Sequence, residues 1–272
     1  ALLRHFLVVD EVHASDAYMT ALMDLVLDQH LAAGGHALLM SATLGAAARE
    51  HLTTNGRQPP LPLEAAEQED YPLLTHVDAS RRRPEHTHAP SSGRSKTVET
   101  DVRGIAGNPL AVAQLAAEKA RDGGRVLVIR NLVADCRATQ RALEEAVGDE
   151  AELLFAIDGT PAPHHSRFAP ADRERLDTRI EALFGKERAG TGGVVAVATQ
   201  TVEQSLDIDA DLLITDLCPM DVLLQRIGRL HRHRRERPTG FDVARCIVLT
   251  PEQRDLSSAI TDDGRGLKGS HG

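Results

Sequence analysis

The chain has 272 residues, 42% of them hydrophobic and 3% aromatic, and a formal net charge of −9 at pH 7, a size that allows one large domain or two small ones. The acidic balance argues against a uniformly basic protein that coats nucleic acid, although it leaves room for a local basic groove. The three cysteines form no CxxC pair and no apolar run approaches the ~20 residues of a membrane span, so we expect a cytoplasmic protein with no disulfide framework and no membrane segment.

The first part of the chain contains two short apolar runs, at residues 3–9 and 36–40, which predict two buried strands. Between them, residues 16–33 repeat their apolar side chains at helical spacing, and Gly34 and Gly35 end the predicted helix. This order of strand, helix and strand is typical of a parallel sheet.

The stretch of residues 53–96 has a different character, with several prolines, an acidic patch and three consecutive arginines. This composition predicts a surface loop or connector, with one strand near residues 71–77. We place a domain boundary in this stretch.

After this stretch the chain alternates again between apolar runs and helical segments. Asn108 and Pro109 are typical of an N-cap and an N1 position, and they predict a helix that ends at Gly123 and Gly124. Further strands are predicted at residues 125–130, 152–157, 193–198, 211–216 and 244–250, and further helices at residues 132–147, 170–184 and 221–230. The alternation predicts a parallel sheet covered by helices on both faces.

Two adjacent carboxylates, Asp10 and Glu11, follow the first predicted strand directly, and His13 comes after a single valine. Ligands of an open parallel sheet bind at the carboxyl ends of its strands. Two carboxylates at that position can hold Mg²⁺ and orient or deprotonate water. The alternative is a solvated turn in which Asp16 caps the next helix.

Two later segments also carry polar side chains in suggestive positions. Thr199 and Gln200 follow an apolar run directly, and Asp207 comes after them, although a plain strand and cap would give the same pattern. On a helix, Gln225, Arg229 and Arg232 would lie on one face, at i, i+4 and i+7. Guanidinium groups so placed fit the charge that develops on a phosphate. The alternative there is a solvated basic run, which the apolar residues between the arginines disfavour.

Four segments in this order resemble motifs II, III, V and VI of superfamily 2 helicases. They are Asp10-Glu11-Val12-His13, Ser41-Ala42-Thr43, residues 199–209 and residues 225–232. More narrowly, three stretches resemble the CRISPR-associated helicase-nuclease of type I systems: His165-Ser166-Arg167-Phe168, residues 198–207, and residues 225–233.

The resemblance implies an α/β fold of RecA-like parallel sheets flanked by helices, with a partial first lobe plus a nearly complete second lobe. Residues 1–95 would form the C-terminal part of the first lobe with its connector, and residues 96–252 the second lobe. Residues 253–272 would be a flexible tail.

The resemblance also implies ATP and Mg²⁺ as cofactors and assigns roles to residues. Asp10 would bind Mg²⁺, Glu11 would activate the attacking water, and His13, Ser41 and Thr43 would couple hydrolysis to the neighbouring lobe. In the second lobe the expected γ-phosphate contacts are Gln225, Arg229 and Arg232, the expected nucleotide-binding residues are Asp207 and Arg226, and the expected nucleic-acid contacts are Ser166, Arg167, Thr199 and Gln200. The implied partners are single-stranded DNA and the RNA-guided CRISPR surveillance complex.

The sequence departs from this family in two respects. It contains no GxxxxGK[ST] phosphate loop, and it contains no His-Asp dipeptide of a metal nuclease. We therefore expect a piece of a helicase that hydrolyses ATP negligibly alone, has no nuclease activity, and needs the missing helicase segment in cis or in trans.

Two other functions stay open at this point. The chain could be a non-enzymatic relic that binds nucleic acid or a partner through residues 226–237. It could also be another superfamily 2 helicase, acting on RNA or on replication forks.

Overall fold

The computed structural model of the chain describes residues 5–12, 17–54, 56, 62–68, 72–78, 84–88, 95–188, 190, 192–203, 206–252 and 256–257. Within it the chain divides into two compact units, unit 1 (Ala1–Ser95) and unit 2 (Lys96–Gly272). The predicted tail lies outside the described residues apart from residues 256–257. Among the described helices, none has both the length and the hydropathy needed to cross a bilayer.

Unit 1 is built on two parallel strands that are joined through a helix. Its elements in chain order are β1 (Phe6–Val9), α1 (Ala17–Ala32), β2 (His36–Leu39), α2 (Ala46–Thr54), α3 (Leu63–Ala66), β3 (Leu73–His76) and β4 (Glu85–His88). Strands β1 and β2 pair in parallel, with Phe6 opposite His36 and Val9 opposite Leu39. The two predicted strands and the helix between them are therefore confirmed, but the prediction that the strands are buried is wrong, since their residues alternate between exposed and half-buried.

The connector between the units contains more structure than its composition predicted. Strand β3, near the predicted position, pairs in an antiparallel hairpin with β4, whose sequence is Glu-His-Thr-His. Strand β4 could not be predicted because it has no apolar alternation, and all four of its residues are exposed. Its pairing with β3 includes one side-chain contact, of 3.1 Å between Oγ1 of Thr75 and Nδ1 of His86.

Unit 2 is a five-stranded parallel sheet with helices on both faces. Its elements are β5 (Val98–Arg103), α4 (Pro109–Arg121), β6 (Arg125–Ile129), α5 (Val133–Val147), β7 (Ala156–Ile157), β8 (Thr160–Pro161), α6 (Pro170–Phe184), β9 (Val194–Ala198), β10 (Leu212–Asp216), α7 (Met220–Ile227) and β11 (Ala244–Leu249). The strand order is β5-β11-β10-β6-β9. The predicted α/β fold with a helix-flanked parallel sheet is confirmed.

The core of unit 2 follows from the alternation of side chains along fully buried strands. All residues of β6, β9 and β10 are buried. On one face, Val126 and Val128 pack with α4 and α5, and on the other Leu127 and Ile129 pack with α6. Asn108 caps α4 as predicted, since its Oδ1 accepts a hydrogen bond of 3.1 Å from the amide of Ala111.

The strand predicted at residues 152–157 is wrong in extent. The amide of Phe155 donates to the carbonyl oxygen of Val195 at 2.9 Å, which places this segment at the edge of the sheet beside β9. The chain then leaves the sheet for the β7–β8 hairpin and returns where the amide of His164 donates to the carbonyl oxygen of Val197 at 2.9 Å. This excursion splits the predicted strand.

Candidate functional site

The polar residues predicted in unit 1 lie at one edge of its parallel pair. Asp10 and Glu11 follow β1, and Ser41 and Thr43 follow the end of β2. The two strand ends are joined, because the amide of Val12 donates to the carbonyl oxygen of Met40 at 2.8 Å. The structure therefore brings these four residues to the same carboxyl-terminal edge, whereas His13 lies outside the described residues.

The backbone of Glu11 is in the left-handed region, with φ at 55°. A non-glycine residue there costs about 1–3 kcal/mol and often marks a functional site. The conformation is stabilised by a hydrogen bond of 2.9 Å from the Glu11 amide to Oδ1 of Asp10. Both side chains are exposed, so their carboxylate oxygens, the ligands that Mg²⁺ prefers, face solvent.

In unit 2, polar side chains from two segments line a cleft of about 450 Å³ at the carboxyl end of β9. Thr199 and Gln200 follow β9, and Ser166 follows the returning segment. The amide of Thr199 donates to the carbonyl oxygen of His164 at 2.9 Å, which fixes the two segments together. Three predicted nucleic-acid contacts therefore share one cleft, and the exposed Arg167 lies beside Ser166 in sequence.

A buried histidine that the sequence analysis did not single out supports this cleft. His164 is fully buried, with Nδ1 2.7 Å from Oγ1 of Thr201 and Nε2 2.7 Å from Oδ1 of Asp177. Burial lowers the pKa of His164, although the Asp177 hydrogen bond opposes this. Both Thr201 and Asp177 line the cleft, so the neutral imidazole ties α6 to the loop after β9.

Helix α7 ends earlier than the sequence predicted. It stops at Ile227, so the expected helical face of Gln225, Arg229 and Arg232 is wrong beyond Gln225. The reason is long-range packing: Leu230 is fully buried, and the amide of Ala210 donates to the carbonyl oxygen of Arg229 at 2.8 Å. These contacts pull the chain away from the helix axis.

Arg226 is a structural residue of unit 2. Its side chain is buried, and its Nε lies 2.7 Å from Oε1 of Glu203. Its other nitrogens donate to Oγ1 of Thr215 at 2.7 Å and to Oδ1 of Asn131 at 3.0 Å. The guanidinium is therefore enclosed by protein groups, and the assignment of Arg226 to nucleotide binding stays a prediction.

Arg229 lies between the end of α7 and the loop that lines the cleft. It is half-buried, and its guanidinium donates to the backbone carbonyl oxygens of Glu203 and Leu206. Gln225, one turn earlier, is also half-buried. These contacts place Arg229 directly against the cleft loop.

Asp207 and Arg232 contact each other. Nε of Arg232 lies 3.0 Å from Oδ1 of Asp207, and Nε2 of His233 lies 2.8 Å from the same oxygen. The side chains of Asp207 and Arg232 are 42% and 43% exposed. The structure thus brings together two residues that were assigned to nucleotide binding on sequence grounds.

Two further arginines of the basic run, Arg235 and Arg237, face inward, whereas Arg234 is exposed. Arg235 and Arg237 pair with the buried Asp209, and Arg237 also pairs with the buried Asp211. Arg188, from the segment after α6, pairs with Asp211 at 3.1 Å. Much of the run at residues 226–237 therefore holds unit 2 together and does not form a continuous basic surface.

Comparison with known proteins identifies the family. A family model described as "CRISPR-associated nuclease/helicase Cas3, C-terminal" matches residues 122–235. The CRISPR-associated endonuclease/helicase Cas3 of Escherichia coli (strain K12) is 34% identical over 255 residues, which cover 92% of this chain and 28% of the relative. The chain belongs to the Cas3 family.

Solved structures agree with this. The crystal structure of T. fusca Cas3-AMPPNP matches with a TM-score of 0.76 and 29% identity, over 93% of this chain and 30% of that one. A chain of a CRISPR RNA-guided surveillance complex, pre-nicking, matches with a TM-score of 0.69 and 31% identity, over 92% of this chain and 32% of that one. The chain thus spans less than a third of the length of these Cas3 relatives.

Metal ligands are sparse in the part of the chain that the structure describes. There, no group of three His, Cys, Asp or Glu side chains is placed to hold a metal ion. Asp10 is an exposed carboxylate at a strand end, which is the kind of ligand that Mg²⁺ takes together with substrate phosphates.

Proposed function

We propose that this chain is the helicase region of a Cas3-type enzyme that uses ATP hydrolysis to move along single-stranded DNA in CRISPR interference. The observation that carries the proposal is the cleft of unit 2, where Ser166, Thr199 and Gln200 line one surface. Hydroxyl and amide groups of this kind commonly contact nucleic-acid phosphates without reading sequence.

The nucleotide chemistry of the proposal uses residues of both units. Asp10 would hold Mg²⁺, which would supply charge neutralisation at the phosphates of ATP, and Glu11 would activate the attacking water. Gln225, Arg229 and Arg232 contact the phosphates, and Asp207 contacts the rest of the nucleotide. Ser41 and Thr43, with His13, couple hydrolysis to motion.

The chain lacks a phosphate loop, and a phosphate loop is the main anchor of ATP in this kind of enzyme. We therefore propose that the chain alone hydrolyses ATP negligibly, and that another segment supplies the loop in cis or in trans. The likeness to Cas3-AMPPNP and to a chain of a CRISPR RNA-guided surveillance complex supports ATP as substrate and such a complex as partner.

A binding relic that acts through residues 226–237 is less compatible with the structure. Arg226, Arg235 and Arg237 form ion pairs with buried carboxylates of unit 2. The experiment below distinguishes the proposed function from that of a helicase that acts on RNA.

The experiment measures binding of a fluorescent oligodeoxythymidine to the chain by anisotropy at several salt concentrations. Arg167→Ala removes an exposed cation beside Ser166, so we expect weaker binding and a salt slope reduced by about 1. The control, Arg245→Ala, removes an arginine of β11, which is three strands away from β9 in the sheet, and is expected to leave binding unchanged.

Equal effects of the two substitutions, or no binding by the unsubstituted chain, would contradict a DNA site at this cleft. Tighter binding of oligouridine than of oligodeoxythymidine would favour the RNA helicase.

A further inference from the structure

The buried Arg226 joins three segments that end at the same edge of the sheet. Its guanidinium contacts Glu203 in the loop after β9, Thr215 near the end of β10, and Asn131 after β6. These three strands, β9, β6 and β10, are adjacent in the sheet. One side chain therefore fixes the relative positions of three neighbouring strand ends.

One of these partners lines the cleft, and a second contacts a residue that lines it. Glu203 lines it, and Gln200, another lining residue, donates from Nε2 to the carbonyl oxygen of Asn131 at 3.0 Å. A nucleic-acid strand that fills the cleft and displaces Gln200 or residues 199–206 therefore acts on Glu203 and Asn131, which contact Arg226.

The same loop contacts Arg229 on its other side. The guanidinium of Arg229 donates to the backbone carbonyl oxygens of Glu203 and Leu206. Glu203 therefore binds Arg226 through its carboxylate and Arg229 through its carbonyl. Since Arg226 is buried and charged, its pairing with Glu203 is costly to break, and Glu203 is held in place.

We propose that Arg226 is a positioning residue that couples occupation of the cleft by a phosphodiester strand to the orientation of the Arg229 guanidinium, acting through Glu203 and Asn131. The identity of the strand rests on the function proposed above. The geometry explains why a buried arginine lies between two residues assigned to the nucleotide, Gln225 and Arg229.

The test follows the side chain of Arg229 directly in the ¹⁵N-labelled chain. The Nη–H resonances, which belong to the groups that donate to Glu203 and Leu206, are assigned as those that disappear in Arg229→Lys, and their exchange rate with water is measured by NMR at low temperature. Glu203→Gln keeps the shape of the side chain and removes its charge. We expect exchange at Arg229 to become about tenfold faster, as for loss of one charge-assisted hydrogen bond.

The control is Arg188→Gln, which breaks a buried ion pair of the same kind with Asp211, at the other end of β10. It is expected to lower the melting temperature without changing exchange at Arg229. If Glu203→Gln fails to fold, Asn131→Ala removes the neutral partner of Arg226, and we expect about fivefold faster exchange. Exchange that is unchanged in Glu203→Gln and Asn131→Ala, or equally fast in Arg188→Gln, would overturn the proposal.

A second measurement adds oligodeoxythymidine to saturation. Bound DNA is expected to slow exchange at Arg229 in the unsubstituted chain and in Arg188→Gln, but not in Glu203→Gln. If the oligonucleotide does not bind, the proposed function is contradicted. The exchange rates measured without DNA still decide whether Arg226 positions Arg229. Binding that leaves exchange unchanged in the unsubstituted chain contradicts the coupling.

Discussion

The parallel strands of unit 1 and unit 2 differ in how their faces are covered. In unit 1, Phe6 and Val8 of β1 are 61% and 53% exposed, and Leu38 and Met40 beside them are also exposed. In unit 2, every residue of the central strands is buried between two layers of helices. Yet both units place their polar residues at the carboxyl ends of the strands.

The two units show that a functional site has two separate structural requirements: aligned strand ends and walls that are held in place. Two paired strands are enough to bring Asp10 and Ser41 to one edge, because parallel pairing alone aligns strand ends. The cleft of unit 2 needs more, since the buried His164 and Arg226 hold its walls through contacts with distant segments. Its geometry therefore depends on the intact core.

The largest expected effect compares two phenylalanines. Phe184 is fully buried under the sheet of unit 2, and Phe6 is 61% exposed in unit 1. Phe184→Ala leaves a cavity and is expected to lower the free energy of unfolding by about 3–5 kcal/mol. Phe6→Ala is expected to change it by less than about 0.5 kcal/mol. Urea unfolding measures both changes in the free energy of unfolding. Similar losses in the two variants would show that the sheet faces of unit 1 and unit 2 are covered alike.

A smaller but still large loss is expected from Asp209→Asn. Asp209 is fully buried and pairs with Arg235 and Arg237. Its neutralisation leaves Arg235 without its carboxylate partner and Arg237 with Asp211 alone, and is expected to cost about 3 kcal/mol. The matched control is Glu150→Gln, which breaks an exposed pair with Arg121 and should have little effect.

Acid unfolding tests the contribution of the Asp209 carboxylate to stability in a second way. Burial alone would raise the pKa of Asp209, but the Arg237 hydrogen bond and the neighbouring cations hold it below its ordinary value of 3.8. The stabilisation by Asp209 is therefore present above pH 3.8 and is lost as the pH falls through the folded-state pKa. If the free energy of unfolding of Asp209→Asn falls with decreasing pH as steeply as that of the unsubstituted chain, this expectation is contradicted.

The smallest expected effect concerns His164. Burial lowers its pKa below the ordinary 6.5, although the Asp177 hydrogen bond opposes this. Below pH 6.5 the unfolded chain therefore binds the proton more readily, and stability is lost as the pH falls towards the folded-state pKa. We expect His164→Gln to flatten the slope of stability between about pH 7 and pH 5. An unchanged slope would show that His164 is not the titrating group.

The sequence allowed the sheet of unit 2 and most of its helices to be predicted, because buried parallel strands appear as continuous apolar runs. It also allowed the prediction that Asp10, Ser41 and Gln200 lie at strand ends. The role of Arg226 could not be predicted, since its partners Glu203 and Asn131 are 23 and 95 positions away in the chain. In sequence, Arg226 and Arg229 look alike; only long-range packing buries one and leaves the other partly exposed.

The most direct test of the central claim, that the unit 2 cleft binds single-stranded DNA, is photocrosslinking. The chain is irradiated with an oligodeoxythymidine that carries 4-thiothymidine, and the crosslinked peptides are identified by mass spectrometry. The account predicts crosslinks concentrated in residues 164–168 and 199–206. Crosslinks concentrated instead in β3, β4 or residues 232–237, with none at the cleft, would contradict it.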